Sequence, residues 1–276
     1  MAKPHWLEIR AVLAALAALA LCLAAPAALR AQEEVPFVVT PDNVTLAMLE
    51  LAQVGPQDFV LDLGSGDGRI VILAARRFGA RGLGVEIVPD LVERSRRNAA
   101  QAGVAERAKF AEQNLFKTDL SVATVITMYL LQEVNLQLRP ALLALRPGTR
   151  IVSHDWDMGD WRADRSVAVD APDKPVGRDK RSRLHLWVVP VRADGAWCGT
   201  GANHGARLRL VQQHQDFDAT LSAGSAVRLL AGRIDGLQLR GAGGFEATVH
   251  GAQLRITQAG DAPPALIGAE FERCAG

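Results

Sequence analysis

This chain has no excess of basic charge. Its 31 lysines and arginines face 30 aspartates and glutamates, a formal net charge of +1. A general nucleic-acid-binding role therefore has no electrostatic support. Cysteine is scarce: Cys22, Cys198 and Cys274 are the whole supply, none spaced as metal ligands are, and no metal is expected. Tyrosine occurs once, at Tyr129. What is plentiful is apolar: 49% of 276 residues, enough to fill one large domain or two ordinary ones.

The chain is organised around Asp58-Phe59-Val60-Leu61-Asp62-Leu63-Gly64-Ser65-Gly66-Asp67-Gly68-Arg69. It reads as a buried strand, a glycine-rich turn and the start of a helix that Gly79 ends. Gly64, Gly66 and Gly68 let the backbone turn sharply and approach a ligand. Such a corner binds ligands in doubly wound α/β sheets. Two ligand classes drop out. The turn lacks the lysine of a P-loop, and Arg69 stands where a dinucleotide fingerprint has its third glycine. Asp62 and Asp67 flank the turn, where a pyrophosphate would be repelled. A ligand with positive charge and no phosphate fits better, and S-adenosylmethionine has an ammonium, a sulfonium and one carboxylate.

Leu61 to Arg69 resembles motif I of class I S-adenosylmethionine-dependent methyltransferases. More narrowly, Val35 to Val189 is similar to the lysine methyltransferase family of the ATP synthase c-subunit and adenine nucleotide translocase enzymes and their bacterial relatives. The resemblance implies an α/β fold with a seven-stranded, mostly parallel Rossmann-like sheet. It implies S-adenosyl-L-methionine as cofactor, bound by Asp62, Gly64, Ser65, Gly66, Asp67 and Gly68. Glu86, at the end of the strand Gly82 to Glu86, falls where the ribose-binding acid belongs. Asn114, after the strand Ala108 to Glu112, stands where relatives carry an adenine-binding Asp. Thr40 is a candidate for the cofactor's carboxylate, and Phe37 replaces a tyrosine of the bacterial relatives.

Further along, Val44 to Leu51 and Pro89 to Ala102 have helical spacing, and Ala123 to Leu130 reads as the fourth strand. Val134 to Leu145 reads as a helix that Pro140 kinks or splits. Arg150 to His154 is the fifth strand, a short sixth lies near Ser166 to Val169, and Leu184 to Val189 is the last. The loop His154-Asp155-Trp156-Asp157-Met158-Gly159-Asp160-Trp161 gathers two tryptophans, a histidine and three acids at the active face. It is the candidate lip for the methyl acceptor. His154 or Asp155 is the candidate base and Tyr129 the third catalytic candidate; each is equally consistent with packing or anchoring. Arg178, Lys180, Arg181 and Arg183 read as a solvated hairpin tip.

Residues 1–31 read as a signal peptide or membrane anchor. Lys3 and Arg10 precede an Ala/Leu-rich run from Ala11 to Leu29, and Leu29-Arg30-Ala31 offers a cleavage site. The expectation is an exported, periplasmic protein or one associated with the inner membrane through this segment. S-adenosylmethionine is made in the cytosol. Either the catalytic domain stays inside, or the cofactor reaches the periplasm, or catalysis has been lost.

Residues 32–189 are read as the methyltransferase domain and 190–276 as a small antiparallel β domain, a sandwich or partial barrel. In the tail, short alternating runs replace helical periodicity: Arg207 to Val211, Val227 to Leu230, Leu237 to Arg240, Phe245 to Val249 and Gln253 to Thr257. It has few acids or histidines arranged for chemistry and reads as a packing or partner module. Cys198 and Cys274 pair if the domain is exported, and are thiols otherwise. The sequence thus reads as a methyltransferase whose acceptor, by resemblance, is a protein lysine. A small-molecule methyltransferase, or a degenerate exported domain acting through its β module, are the rivals.

Overall fold

The computed structural model describes residues 38–262 and 264–274. The expected targeting segment at residues 1–31, and Phe37, lie outside the described residues. The first part is a sheet flanked by four helices. Strands β1 (Phe59–Leu63), β2 (Arg81–Glu86), β3 (Ala108–Glu112), β4 (Val125–Met128), β5 (Arg150–His154), β6 (Arg165–Asp170) and β7 (Arg181–Val188) lie in the order β3-β2-β1-β4-β5-β7-β6. The first five run parallel; β7 is antiparallel to both β5 and β6. A parallel sheet must be covered on both faces. Helices α1 (Asp42–Leu51) and α2 (Arg69–Phe78) cover one face, where Met48, Leu49, Ile70 and Ala74 pack on Val60, Val125 and Val152. Helix α3 (Pro89–Gln101) extends that layer over Phe110. Helix α4 (Gln132–Leu143) covers the other face, its Leu138 and Leu142 against Leu61, Leu63, Ile126 and Met128.

Two local expectations differ. Pro140 does not split α4, which runs from Gln132 to Leu143 with the proline inside it. The fourth strand stops at Met128, so Tyr129 lies just beyond it, in the connection to α4.

The second part is an eight-stranded, wholly antiparallel closed barrel. It comprises β8 (Gly195–Gly199), β9 (Arg207–Gln213), β10 (Asp216–Ala223), β11 (Ala226–Asp235), β12 (Gln238–Gly241), β13 (Phe245–His250), β14 (Gln253–Ala259) and β15 (Glu270–Arg273). Pairing of β15 with β8 and of β8 with β9 closes the ring. A partial barrel or sandwich was expected; closure removes the free edges those would leave. Trp197, Leu208, Phe217, Phe245, Ile256 and Phe271 fill the interior. Cys198 and Cys274 form a disulfide, with Cα atoms 5.1 Å apart.

Candidate functional site

Parallel strands bring the ends of β1 to β5 to one edge of the sheet, where open α/β sheets bind ligands. There the glycine turn is fixed against β2: the amides of Gly64 and Ser65 both donate to the Val85 carbonyl, at 2.9 and 3.0 Å. Gly68 has φ of +82°, and a Cβ there would fall 2.6 Å from that of Ser95 and 2.7 Å from the Phe110 ring. The turn can therefore be built only with glycine at that position.

The two acids of the turn differ. Asp62 is 3% exposed and accepts from the Thr127 hydroxyl at 2.7 Å. Burial, reinforced by Glu86 and Asp67, pushes its pKa up to about 7. Asp67 is clasped by Arg69, whose Nε and Nη2 donate at 3.0 and 2.7 Å. Burial alone would raise its pKa; the hydrogen bonds and charge of Arg69 outweigh that and hold it below the usual range. Arg69, which spoils the dinucleotide fingerprint, thus neutralises one of the two acids and ties the turn to the Thr40 carbonyl at 2.8 Å. The free negative charge facing a ligand is smaller than the sequence suggests.

Glu86 ends β2 beside the turn. Its Oε2 accepts from the Gly66 amide at 3.0 Å, and its Oε1 from the amides of Ile87 and Val88 at 2.8 and 3.0 Å. Three backbone donors thus fix a partly exposed carboxylate in one orientation. Asn114 caps the short 3-10 turn Leu115–Lys117, its amide oxygen accepting from Phe116 at 2.9 Å. Its side-chain nitrogen has no partner among the described residues and remains a donor. Thr40 is buried, and its hydroxyl faces His154 rather than open space.

The three catalytic candidates do meet. The Tyr129 ring stacks on His154 with centroids 3.9 Å apart, and its hydroxyl donates to Asp155 Oδ2 at 3.4 Å. His154 is 0% exposed; the Thr40 hydroxyl lies 3.3 Å from its Nδ1 and the Ser182 hydroxyl 2.7 Å from its Nε2. Burial pushes its pKa down to about 4, so the ring is neutral at pH 7. Asp155, at φ +64°, accepts from the Arg183 amide at 3.0 Å and pairs with Lys174 Nζ at 2.7 Å. Burial opposes its ionisation, but Lys174 and the Arg183 amide win and hold its pKa low. Burial and the Asp155 charge push the Tyr129 phenol up to about 12. Tyr129 is therefore a donor throughout the physiological range, and only half-buried.

Of the expected lip, Trp156 alone of the two tryptophans is exposed, at 40%; Trp161 is fully buried and its carbonyl accepts from Trp187 Nε1 at 2.8 Å. Asp157 accepts from Gln132 at 2.9 Å, and Asp160 pairs with Arg139. Lys174 and Ser182 were missed. Each lies in a polar stretch with nothing local to mark it, and the fold alone brings it to Asp155 or His154. Among the described residues no cluster of His, Cys, Asp and Glu could hold a metal, and no helix is long and apolar enough to cross a membrane.

Residues 62–165 match the family model for the ANTKMT methyltransferase domain. A protein-lysine N-methyltransferase of Saccharolobus islandicus is 44% identical over 138 residues, which are 49% of this chain and 86% of that protein. The mouse adenine nucleotide translocase lysine N-methyltransferase is 34% identical over 131 residues, 47% of this chain but only 56% of the relative. Among solved structures, an RNA methyltransferase from Salinibacter ruber in complex with S-adenosyl-L-homocysteine is 49% identical. It aligns with a TM-score of 0.51, covering 57% of this chain and 98% of that one. The barrel strands lie beyond the family match.

Proposed function

Because the chain belongs to the family of S-adenosylmethionine-dependent methyltransferases that the ANTKMT domain describes, we propose that its methyl acceptor is the side-chain amine of a protein lysine. The observation that carries this acceptor is the 44% identity to a protein-lysine N-methyltransferase across most of that protein's length. The site suits the cofactor. Glu86, held by three amides, keeps one acceptor site on Oε2 for a ribose hydroxyl. The free amide nitrogen of Asn114 can donate to a ring nitrogen of adenine. Gly64, Ser65, Gly66 and Gly68 bring the backbone close, and Thr40 and Asp67 brace that turn through Arg69. When bound, S-adenosylmethionine supplies an electrophilic methyl group on sulfonium.

The chain's own task is then alignment of the incoming amine. Tyr129 presents its hydroxyl and ring edge, and Asp155 keeps that hydroxyl directed. His154, sealed between Thr40 and Ser182, anchors the end of β5 in this reading. Asp155 is the only ionised candidate base of the three, and its occupied oxygens suit orientation better than proton uptake.

The test is transfer of tritiated methyl from S-adenosylmethionine in a cell extract, followed by acid hydrolysis. Label in methylated lysine is the expected result. Label in nucleotides would instead favour the second reading, an RNA acceptor, for which the likeness to the Salinibacter RNA methyltransferase at 49% identity speaks. Label in small molecules would remove both. Binding with no transfer would leave the degenerate reading.

The same proposal keeps the division at residues 189 and 190, and an exported or membrane-associated location. The composition of residues 1–31 and the Cys198–Cys274 disulfide support that location, since such bonds persist in oxidising compartments. Thiol alkylation of protein taken directly from fractionated cells tests it: reactive Cys198 and Cys274 in a cytosolic fraction would refute it.

A further inference from the structure

The barrel touches the catalytic part at specific points. The chain leaving β5 passes the ligand-binding edge at Asp155 and Trp156, then runs to Asp164 before β6 begins. Helix α4 holds its first half: the Asn135 amide nitrogen donates to the carbonyls of Trp156 and Asp157 at 3.2 and 3.3 Å. The barrel holds its second half. Gln215, in the turn between β9 and β10, is 1% exposed and donates its side-chain amide to the Arg162 carbonyl. Its own carbonyl accepts from Ile234 of β11 at 2.6 Å. The neighbouring His214 stacks on Trp161, with centroids 6.2 Å apart. Arg233 of β11 pairs with Asp164 at 2.7 Å, and the same carboxylate accepts from the Val188 amide at 2.8 Å. The turn is itself rigidly set. The Gln212 side-chain amide donates to the carbonyls of His214 and Val191 at 2.7 and 3.0 Å, and His214 takes φ of +53°.

We propose that this turn braces the acceptor-facing loop, with Gln215 a positioning residue for methyl transfer. A loop anchored at both ends presents Trp156 in one place; released at one end, it samples many. Gln215 and Arg233 act through Trp161, Arg162 and Asp164, and none of these touches the glycine turn or Glu86. The brace therefore governs the acceptor side and leaves cofactor binding alone. Its catalytic meaning rests on the methyl-transfer reading above.

Hydrogen–deuterium exchange and calorimetric titration with S-adenosylmethionine, on the full chain, test it. The variants are Gln215→Ala and Arg233→Met. Leu229→Ser is the control, because that side chain lies on barrel strand β11, is 82% exposed and makes no polar tie to the loop. In Gln215→Ala, exchange within residues 155–162 should rise about tenfold, the effect of losing one buried hydrogen bond. Arg233→Met should move the same segment in the same direction, and the control should not. Exchange over residues 62–88 and the cofactor Kd should stay within roughly twofold, as sites without shared partners behave independently. With an acceptor in hand, KM for the acceptor should rise more than kcat falls. An unchanged segment 155–162, a rise spread equally over β1 to β5, or a weakened cofactor Kd would each overturn the brace. Should Gln215→Ala not fold, Arg233→Met decides alone. Neither exchange nor cofactor titration uses the acceptor, so an error about lysine leaves this test intact.

Discussion

At Asp62 a carboxyl group is enclosed with Thr127, and with two further acids nearby. Its folded pKa, about 7, lies above the 3.8 of the unfolded chain. Between those values the native state holds the proton more tightly than the unfolded state. Its contribution to stability is thus full below about pH 4 and falls as pH rises to 7, by up to roughly 4 kcal/mol at 1.36 per unit. Asp62→Asn keeps an acceptor for Thr127 and loses the titration. Thermal melts at pH 4.5 and 7.5 should show wild-type protein losing stability where the variant does not; equal losses in both would place the effect elsewhere. At Glu86 the expected outcome concerns binding. Glu86→Ala removes a charged hydrogen bond worth roughly 1.5–3 kcal/mol, so calorimetry should show cofactor affinity falling about ten- to a hundredfold. Glu86→Gln should fall less. These acids were legible in the sequence because motif I is local. Lys174 and Ser182 were not: Ser182 lies 28 residues from the His154 it meets, and no spacing rule reaches that far.

Among the elements, the strand–turn–helix from β1 to α2 depends most on one residue. Gly68→Ala places a Cβ against Ser95 and Phe110 at a left-handed position. Backbone strain and overpacking together should cost about 2–4 kcal/mol, read as a lower urea midpoint. A variant as stable as wild type would mean that α3 and β3 give way freely. The parallel strands were legible because burial on both faces leaves short apolar runs between turns. Barrel strands β8, β10 and β15 were not. Gly195 and Gly199 bound β8 and read as turn residues, β15 has four residues, and β10 begins with two aspartates in three positions. Ladder partners, not their own composition, make them strands. Pro140 misled in the other direction. Buried Leu138 and Leu142, on either side of it, keep α4 continuous.

For the whole molecule, sheet and barrel each have their own core, and the disulfide belongs to the barrel alone. Cys198 and Cys274 are 76 residues apart, a loop whose closure stabilises by roughly 4 kcal/mol on chain-entropy reasoning. Reduction should lower the barrel's melting temperature while the cofactor Kd holds steady. A rising Kd would mean that the cofactor site depends on barrel stability as well. The same bond has a mechanical consequence. Tension applied between the sheet and residue 274 would run through β8 as far as Cys198, then cross directly to Cys274, leaving the strands between them unloaded. Single-molecule pulling should therefore find roughly 260 Å of chain, at about 3.5 Å per residue, that extends only after a reductant is added.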